Sequence, residues 1–292
     1  MLAETGCDLL ADLDQQLPLT AARSLQSIFI GGGTPSLLSP AAITALLDGI
    51  SSRLDCLPGM EITLEANPGT LETGYYAGYR AAGVNRLSIG VQSFNAGSLR
   101  ALGRVHGREQ ALAAVDLARQ GGFERINLDL MFGLPGQNRE MALTDVQQAI
   151  DLRPDHISYY QLTLEPNTPF HRSPPPMPSE ELIWAMQCQG QRELVAAGYQ
   201  QYEISAFSHP GRECRHNLNY WLFGDYIGIG AGANGKISDP EQQRVVRRWR
   251  VRDPQRYLAQ AGTEGAVSGQ RVLDEEDLIL EFLMNLFRLN RG

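Results

Sequence analysis

Short apolar runs recur along the chain with amphipathic stretches between them, and the two periods alternate. Runs at 25–30, 60–65, 86–92, 125–131 and 156–162 are rich in aliphatic and aromatic residues and predict strands. Between them the apolar residues fall at helical spacing: within 41–54, Ile43, Leu46, Leu47, Ile50 and Leu54 share one face. The same spacing predicts helices over 71–82, 108–121 and 138–152, with Gly121-Gly122 available as a C-cap for the second of these. Strand alternating with helix predicts a parallel sheet covered by helices. Beyond Leu164 the rhythm breaks at Glu165-Pro166-Asn167-Thr168-Pro169 and Pro174-Pro175-Pro176, a proline-stiffened connection that serves as a lid or a simple excursion. A helix over 179–197, a strand over 202–207 and a glycine-rich segment at 228–235 follow.

The polar residues fall where such a sheet holds ligands, at the carboxyl ends of its strands. Gly31-Gly32-Gly33-Thr34 ends the first strand, Glu65 and Asn67 the second, Gln92 and Ser93 the third, and Asp129 lies in the last turn of the fourth. Three successive glycines permit φ > 0 and close approach of a ligand, and Ser39-Pro40 then supplies an N-cap and a first-turn proline for the next helix. A buried polar side chain costs a few kcal/mol unless it finds a partner, so several converging on one rim predict a polar ligand.

Composition narrows the class. With 292 residues, 43% apolar and 20% charged, the chain reads as a soluble globular protein of one α/β barrel or two smaller domains. A formal charge of −8 argues against nucleic acid as a partner. The exception is the arginine cluster between Arg244 and Arg252, read as a solvated strand face in preference to a phosphate or propionate site. No run approaches the roughly eighteen apolar residues of a membrane span, and the first residues carry no leader pattern, which predicts a cytoplasmic protein. Cys7, Cys56, Cys188 and Cys214 are scattered without a CxxC pair, as suits a reducing compartment.

In order along the chain stand GGGTPSLL, LEANPG, GVQSF, LGRVH, NLDLMFGLPGQ, YYQLTLEPNTPF and HNLNYW. With these motifs the chain resembles, over nearly its whole length, the radical S-adenosylmethionine (SAM) proteins related to oxygen-independent coproporphyrinogen III oxidase. The resemblance implies an α/β fold, an incomplete, partial TIM-type parallel β/α barrel. It implies a radical SAM core over 1–237 and, over 238–292, a linker and the start of the family's carboxyl-terminal domain. By the same resemblance Gly32, Gly33 and Thr34 lie against the methionine end of SAM, Glu65, Gln92, Arg104 and Asp129 occupy further SAM positions, and Thr163 lies near the adenine. The CxxxCxxC loop that holds the family's [4Fe-4S] cluster is absent. The chain is therefore expected to begin after that loop and the strand before it, through truncation or a misplaced start, with loss of the cluster the lesser alternative. The helix patterned at 278–289 is apolar nearly all round and is expected to need partners on more than one side.

His216-Asn217-Leu218-Asn219-Tyr220 looks like the HNxxY motif of the family's heme-chaperone branch. The resemblance implies heme as a ligand of His216, Asn217 and Tyr220, with His216 a candidate iron ligand and Cys214 a second. Arg212 and Arg215 suit propionates, and Tyr220 and Trp221 offer flat faces to a porphyrin. The implied function is to bind heme and pass it to an acceptor protein, a membrane respiratory protein among the candidates. The alternative is the oxidase reaction itself, radical decarboxylation of coproporphyrinogen propionates, so whether the chain is an enzyme stays open.

Overall fold

Seven strands form the main sheet in the order β1-β2-β3-β4-β5-β7-β6. The computed structural model describes residues 2–20, 23–69, 73–166 and 168–290, the side chains of residues 2–5 and 7 excepted. The strands are β1 (Leu25–Ile30), β2 (Cys56–Ala66), β3 (Arg86–Gln92), β4 (Arg125–Phe132), β5 (His156–Gln161), β6 (Gln200–Glu203) and β7 (Ala206–Ser208). β2, β3, β4 and β5 pair in parallel, as strand-helix alternation predicts. All seven residues of β3 are buried, which a strand covered on both faces requires.

The helices fall close to their predicted spans. α1 is Leu2–Gln16, α2 Pro40–Ser51, α3 Tyr76–Ala81, α4 Ala96–Ala101, α5 Arg108–Gln120, α6 Arg139–Asp151, α7 Pro169–Arg172, α8 Glu180–Ala196 and α9 Arg215–Trp221. Ser39 caps α2 as expected, its hydroxyl accepting the Ala42 N–H, with Pro40 in the first turn. The helix predicted over 71–82 is shorter, and residues 70–72 lie outside the described ones. The single strand predicted over 202–207 is instead two, β6 and β7, paired antiparallel to each other, with β7 antiparallel to β5. Glu203 sets the reversal: its Oε1 accepts the Ser205 N–H at 3.3 Å and hydroxyl at 2.9 Å.

The chain divides into two compact units, residues 1–28, 38–61 and 214–289 in one, and 29–37, 62–213 and 290–292 in the other. In the first, Leu13 of α1 packs with Leu46 and Ile50 of α2, joined by Leu9, Leu17, Ile28 and Leu54. This unit also holds a three-stranded antiparallel sheet, order β10-β9-β8, of β8 (Asn234–Asp239), β9 (Arg244–Arg250) and β10 (Val267–Val272), with α10 (Pro254–Leu258) and α11 (Glu275–Leu286).

Of the β9 arginines Arg244 is exposed, as a solvated face predicts, while Arg247 and Arg248 are half-buried and Arg250 is buried. Arg250 is 2% exposed and pairs with the wholly buried Asp12, which also accepts the Tyr257 hydroxyl at 2.7 Å. Arg244 pairs with Asp239, Arg247 with Glu281 and Arg248 with Glu264. The acids that neutralise them come from the chain itself. None of the residues of α11 is buried, and Ile279, Leu280, Phe282 and Met284 are exposed.

Candidate functional site

In the second unit the glycine turn meets the end of β2. Gly32 (φ +84°) and Gly33 (φ +63°) adopt left-handed backbone, and a side chain added at either would meet nothing within 4 Å. Gly31 is bare for another reason: a Cβ there would strike the Phe29 ring at 2.5 Å and stand 3.0 Å from Glu65 Oε2. The Gly32 N–H donates to Glu65 Oε2 at 3.2 Å. Burial raises the Glu65 carboxyl above the ordinary range, the Gly32 N–H opposes this, and the charge of Asp129 adds to the rise.

Asp129 is held by a polar network inside the sheet. Ser88 donates to its Oδ2 at 3.2 Å and the Asn127 amide to its Oδ1 at 2.8 Å. Asn127 Nδ2 also donates to Ser88 Oγ at 2.7 Å, while its Oδ1 faces His156 Nδ1 at 2.6 Å and accepts the Ser158 hydroxyl at 3.1 Å. His156 Nε2 lies 2.8 Å from the Tyr202 hydroxyl. Burial raises the Asp129 carboxyl, and Asn127, Ser158, Arg86 and Ser88 hold it back.

Gln92 closes β3 with a left-handed backbone (φ +66°), which a non-glycine residue adopts only where its surroundings compel it. The Tyr160 hydroxyl donates to Gln92 Oε1 at 2.9 Å. Burial raises the Tyr160 phenol; Asp129 and Glu65 push the same way, and Arg104 opposes them. Of the four predicted site residues, Gln92 is joined to Tyr160 by this hydrogen bond, while Asp129, Arg104 and Glu65 act on the phenol through their charges. Arg104 itself is exposed, in the turn after α4. Thr163 is exposed beyond β5, its hydroxyl donating to Glu165 Oε1 at 2.9 Å.

Ser93, expected to join this rim, turns elsewhere. Its hydroxyl donates to Asp145 Oδ2 at 2.6 Å, and the Phe94 N–H donates to Asp145 Oδ1 at 2.8 Å. Asp145, 1% exposed on α6, is pushed up to about 6 by burial against these opposing hydrogen bonds. It clamps the chain immediately after Gln92.

In the first unit, α9 opens at Cys214. His216, 8% exposed, turns Nδ1 to within 3.1 Å of Cys214 Sγ and 3.5 Å of Glu61 Oε1. Glu61 Oε1 also accepts the Arg215 N–H at 2.9 Å, while the Arg215 guanidinium donates to the Gly59 carbonyl at 2.9 Å and so is directed to β2. Asn217 and Tyr220 are half-buried, the Tyr220 ring lying edge-on to His216 and to Tyr226. Glu61, in the middle of β2, was not foreseen; nothing in its local sequence sets it apart from a surface acid.

Among the described residues, one trio of close metal-capable side chains occurs, and it contains a single cysteine, Cys214. Cys56 and Cys188 are free thiols outside it. That donor set does not fit the three thiolates of a [4Fe-4S] cluster. No helix of the described residues is long and apolar enough to cross a membrane.

Residues 10–149 match the model of the radical SAM superfamily. The chain is 50% identical over 281 residues to the heme chaperone HemW of Escherichia coli (strain K12), covering 96% of this chain and 73% of that protein. It is 47% identical over 287 residues to the heme chaperone HemW of Haemophilus influenzae, covering 97% and 72%. Among solved structures, coproporphyrinogen III oxidase (HemN) from Escherichia coli, a radical SAM enzyme, superposes with a TM-score of 0.83 at 25% identity, over 99% of this chain and 69% of that one. The likeness fits the predicted α/β partial barrel.

Proposed function

The chain belongs to the HemW family of radical SAM proteins, and from that premise we propose that it binds heme and hands it to an acceptor protein. The observation that carries this reading is 50% identity over 96% of the chain with a protein named a heme chaperone, and the His216-Asn217-Leu218-Asn219-Tyr220 run, which resembles that branch's HNxxY motif, agrees with it. Heme docks at α9, with Asn217 and Tyr220 flanking it and His216 ligating iron once its ring swings away from Glu61 and Cys214. The carrier works in the cytoplasm, and a membrane respiratory protein is the acceptor. Heme titration of the purified chain, followed at the Soret band, tests this. His216→Ala should shift the band and weaken binding; an unchanged spectrum removes His216 as a ligand, and absence of saturable binding by the unaltered chain ends the heme reading.

SAM is the proposed occupant of the rim around Tyr160. The open left-handed turn at Gly32 and Gly33, with Thr34 beside it, presents backbone groups to the methionine end, and Glu65 offers its carboxylate to the ammonium. Arg104 serves the carboxylate, Gln92 and Asp129 the ribose hydroxyls and polar edges, and Thr163 the adenine. SAM when bound supplies an activated sulfonium. No step runs through an iron–sulfur cluster, because the described thiols do not fit one. Equilibrium dialysis of the chain against SAM, with Glu65→Gln as the comparison, checks the assignment.

A further inference from the structure

Glu61, Cys214 and His216 bring a carboxylate, a thiol and an imidazole together from two distant parts of the chain, β2 and the start of α9. All three are buried, at 1%, 0% and 8% exposure. Burying such groups is costly, and here their contacts with one another offset part of that cost. The thiol carries one proton and faces two acceptors: Glu61 Oε1 at 3.7 Å, and His216 at 3.1 Å to Nδ1 or 3.5 Å to Nε2.

The spacing has a direct metal interpretation. With zinc bond lengths of about 2.3 Å to sulfur, about 2.0–2.1 Å to imidazole and about 2.0–2.2 Å to carboxylate, tetrahedral ligand atoms stand about 3.3–3.6 Å apart. The three edges observed are 3.1 Å (Sγ to Nδ1), 3.7 Å (Sγ to Oε1) and 3.5 Å (Nδ1 to Oε1). An ion at the centre of this near-equilateral triangle would reach all three with shifts of a few tenths of an ångström, leaving its fourth position open.

We propose that Glu61, Cys214 and His216 form a binding site for a thiophilic divalent cation, with Zn²⁺ the ion of best fit. Thiolate and imidazole select zinc-like ions over Mg²⁺ and Ca²⁺, which prefer all-oxygen ligands. The backbone supports the set: the Arg215 N–H holds Glu61 Oε1, and Arg215 itself is tied to Gly59. The proposal goes beyond heme carriage, and it makes heme iron and zinc rivals for His216.

Anaerobic titration of the reduced, full chain with Co²⁺ alone is the test. Stoichiometric uptake is expected, with tetrahedral visible bands and a near-ultraviolet thiolate-to-cobalt band, both displaced by Zn²⁺ and untouched by excess Mg²⁺ or Ca²⁺. Cys214→Ser should abolish the near-ultraviolet band while Cys56→Ser and Cys188→Ser keep it. Glu61→Gln should weaken binding more than about tenfold, the lower end of what even outer-shell changes cost a metal site. Should Cys214→Ser fail to fold, the unaltered chain still decides: no stoichiometric uptake, or uptake without the thiolate band, overturns the site. A band that survives in folded Cys214→Ser does the same. The Soret titration is read separately, so loss of cobalt binding with intact heme binding refutes the metal site alone.

Discussion

Replacing Asp145 by Asn tests how the segment after Gln92 is held. Asp145 has a folded value of about 6 against 3.8 for the free side chain, because burial outweighs the hydrogen bonds from Ser93, Phe94 and Asn95. A group raised in the folded state contributes stability that is complete below its unfolded value and is lost as pH rises through the folded one. The shift of about two units, at 1.36 kcal/mol each, corresponds to about 3 kcal/mol lost between about pH 4 and pH 6, with no further change above. Asn at 145 keeps a carbonyl for the Phe94 N–H and presents its NH₂ to the Ser93 oxygen, with no charge to desolvate. Urea-unfolding midpoints of both proteins, measured from about pH 4 to pH 8, should diverge in favour of the variant by about 3 kcal/mol as pH rises, then run parallel. Curves that stay parallel throughout would refute the account of Asp145 as an ionised, desolvated clamp. Asp145→Ala, which strands the Phe94 N–H, should show the same pH trend but lie about 1–3 kcal/mol below Asp145→Asn at every pH.

Further outcomes follow from other contacts. Tyr160→Phe removes the donor to Gln92 Oε1 and should cost about 1 kcal/mol by denaturant titration, with weaker SAM retention in dialysis. Gly32→Ala places a side chain at φ +84°, so about 1–2 kcal/mol of stability should be lost although the space is open; an unchanged midpoint would argue that the turn relaxes. Arg250→Met leaves Asp12 buried without its cation and should destabilise by about 3–5 kcal/mol, measured by thermal or urea unfolding. Glu65→Gln should lower SAM affinity roughly tenfold or more in calorimetry if its charge meets the ammonium, since a charge-assisted hydrogen bond is worth about 1.5–3 kcal/mol.

Much of this arrangement is legible in the sequence because parallel strands present their ends to one rim. Gln92 closes β3 and Glu65 stands next to the end of β2, whereas Asp129 lies inside β4 in register with Ser158 of β5, so topology puts all three on the carboxyl halves of neighbouring parallel strands. Tyr160 is not legible in that way: in Tyr159-Tyr160 alternation sends one ring to each face, and only the fold shows that Tyr159 bonds the Met186 carbonyl while Tyr160 serves the rim. Ser93 was misassigned because its partner, Asp145, lies 52 residues along on a helix whose acid reads as solvent-facing. The pairing of Arg247 and Arg250 is hidden for the same reason, their acids being drawn from remote elements. Glu61 became visible only beside Cys214, 153 residues away.

The chain of contacts from Tyr202 through His156 and Asn127 to Asp129 has a single polarity. An ionised Asp129 accepts only, so the Asn127 NH₂ must face it; the Asn127 carbonyl then faces His156, which fixes the imidazole proton on Nδ1 and leaves Nε2 to accept from Tyr202. Ser88 and Ser158 hold the same amide orientation, the first accepting from the Asn127 NH₂ and the second donating to its carbonyl. A carboxylate on β4 and a phenol on β6 are in this way linked through one run of directed hydrogen bonds.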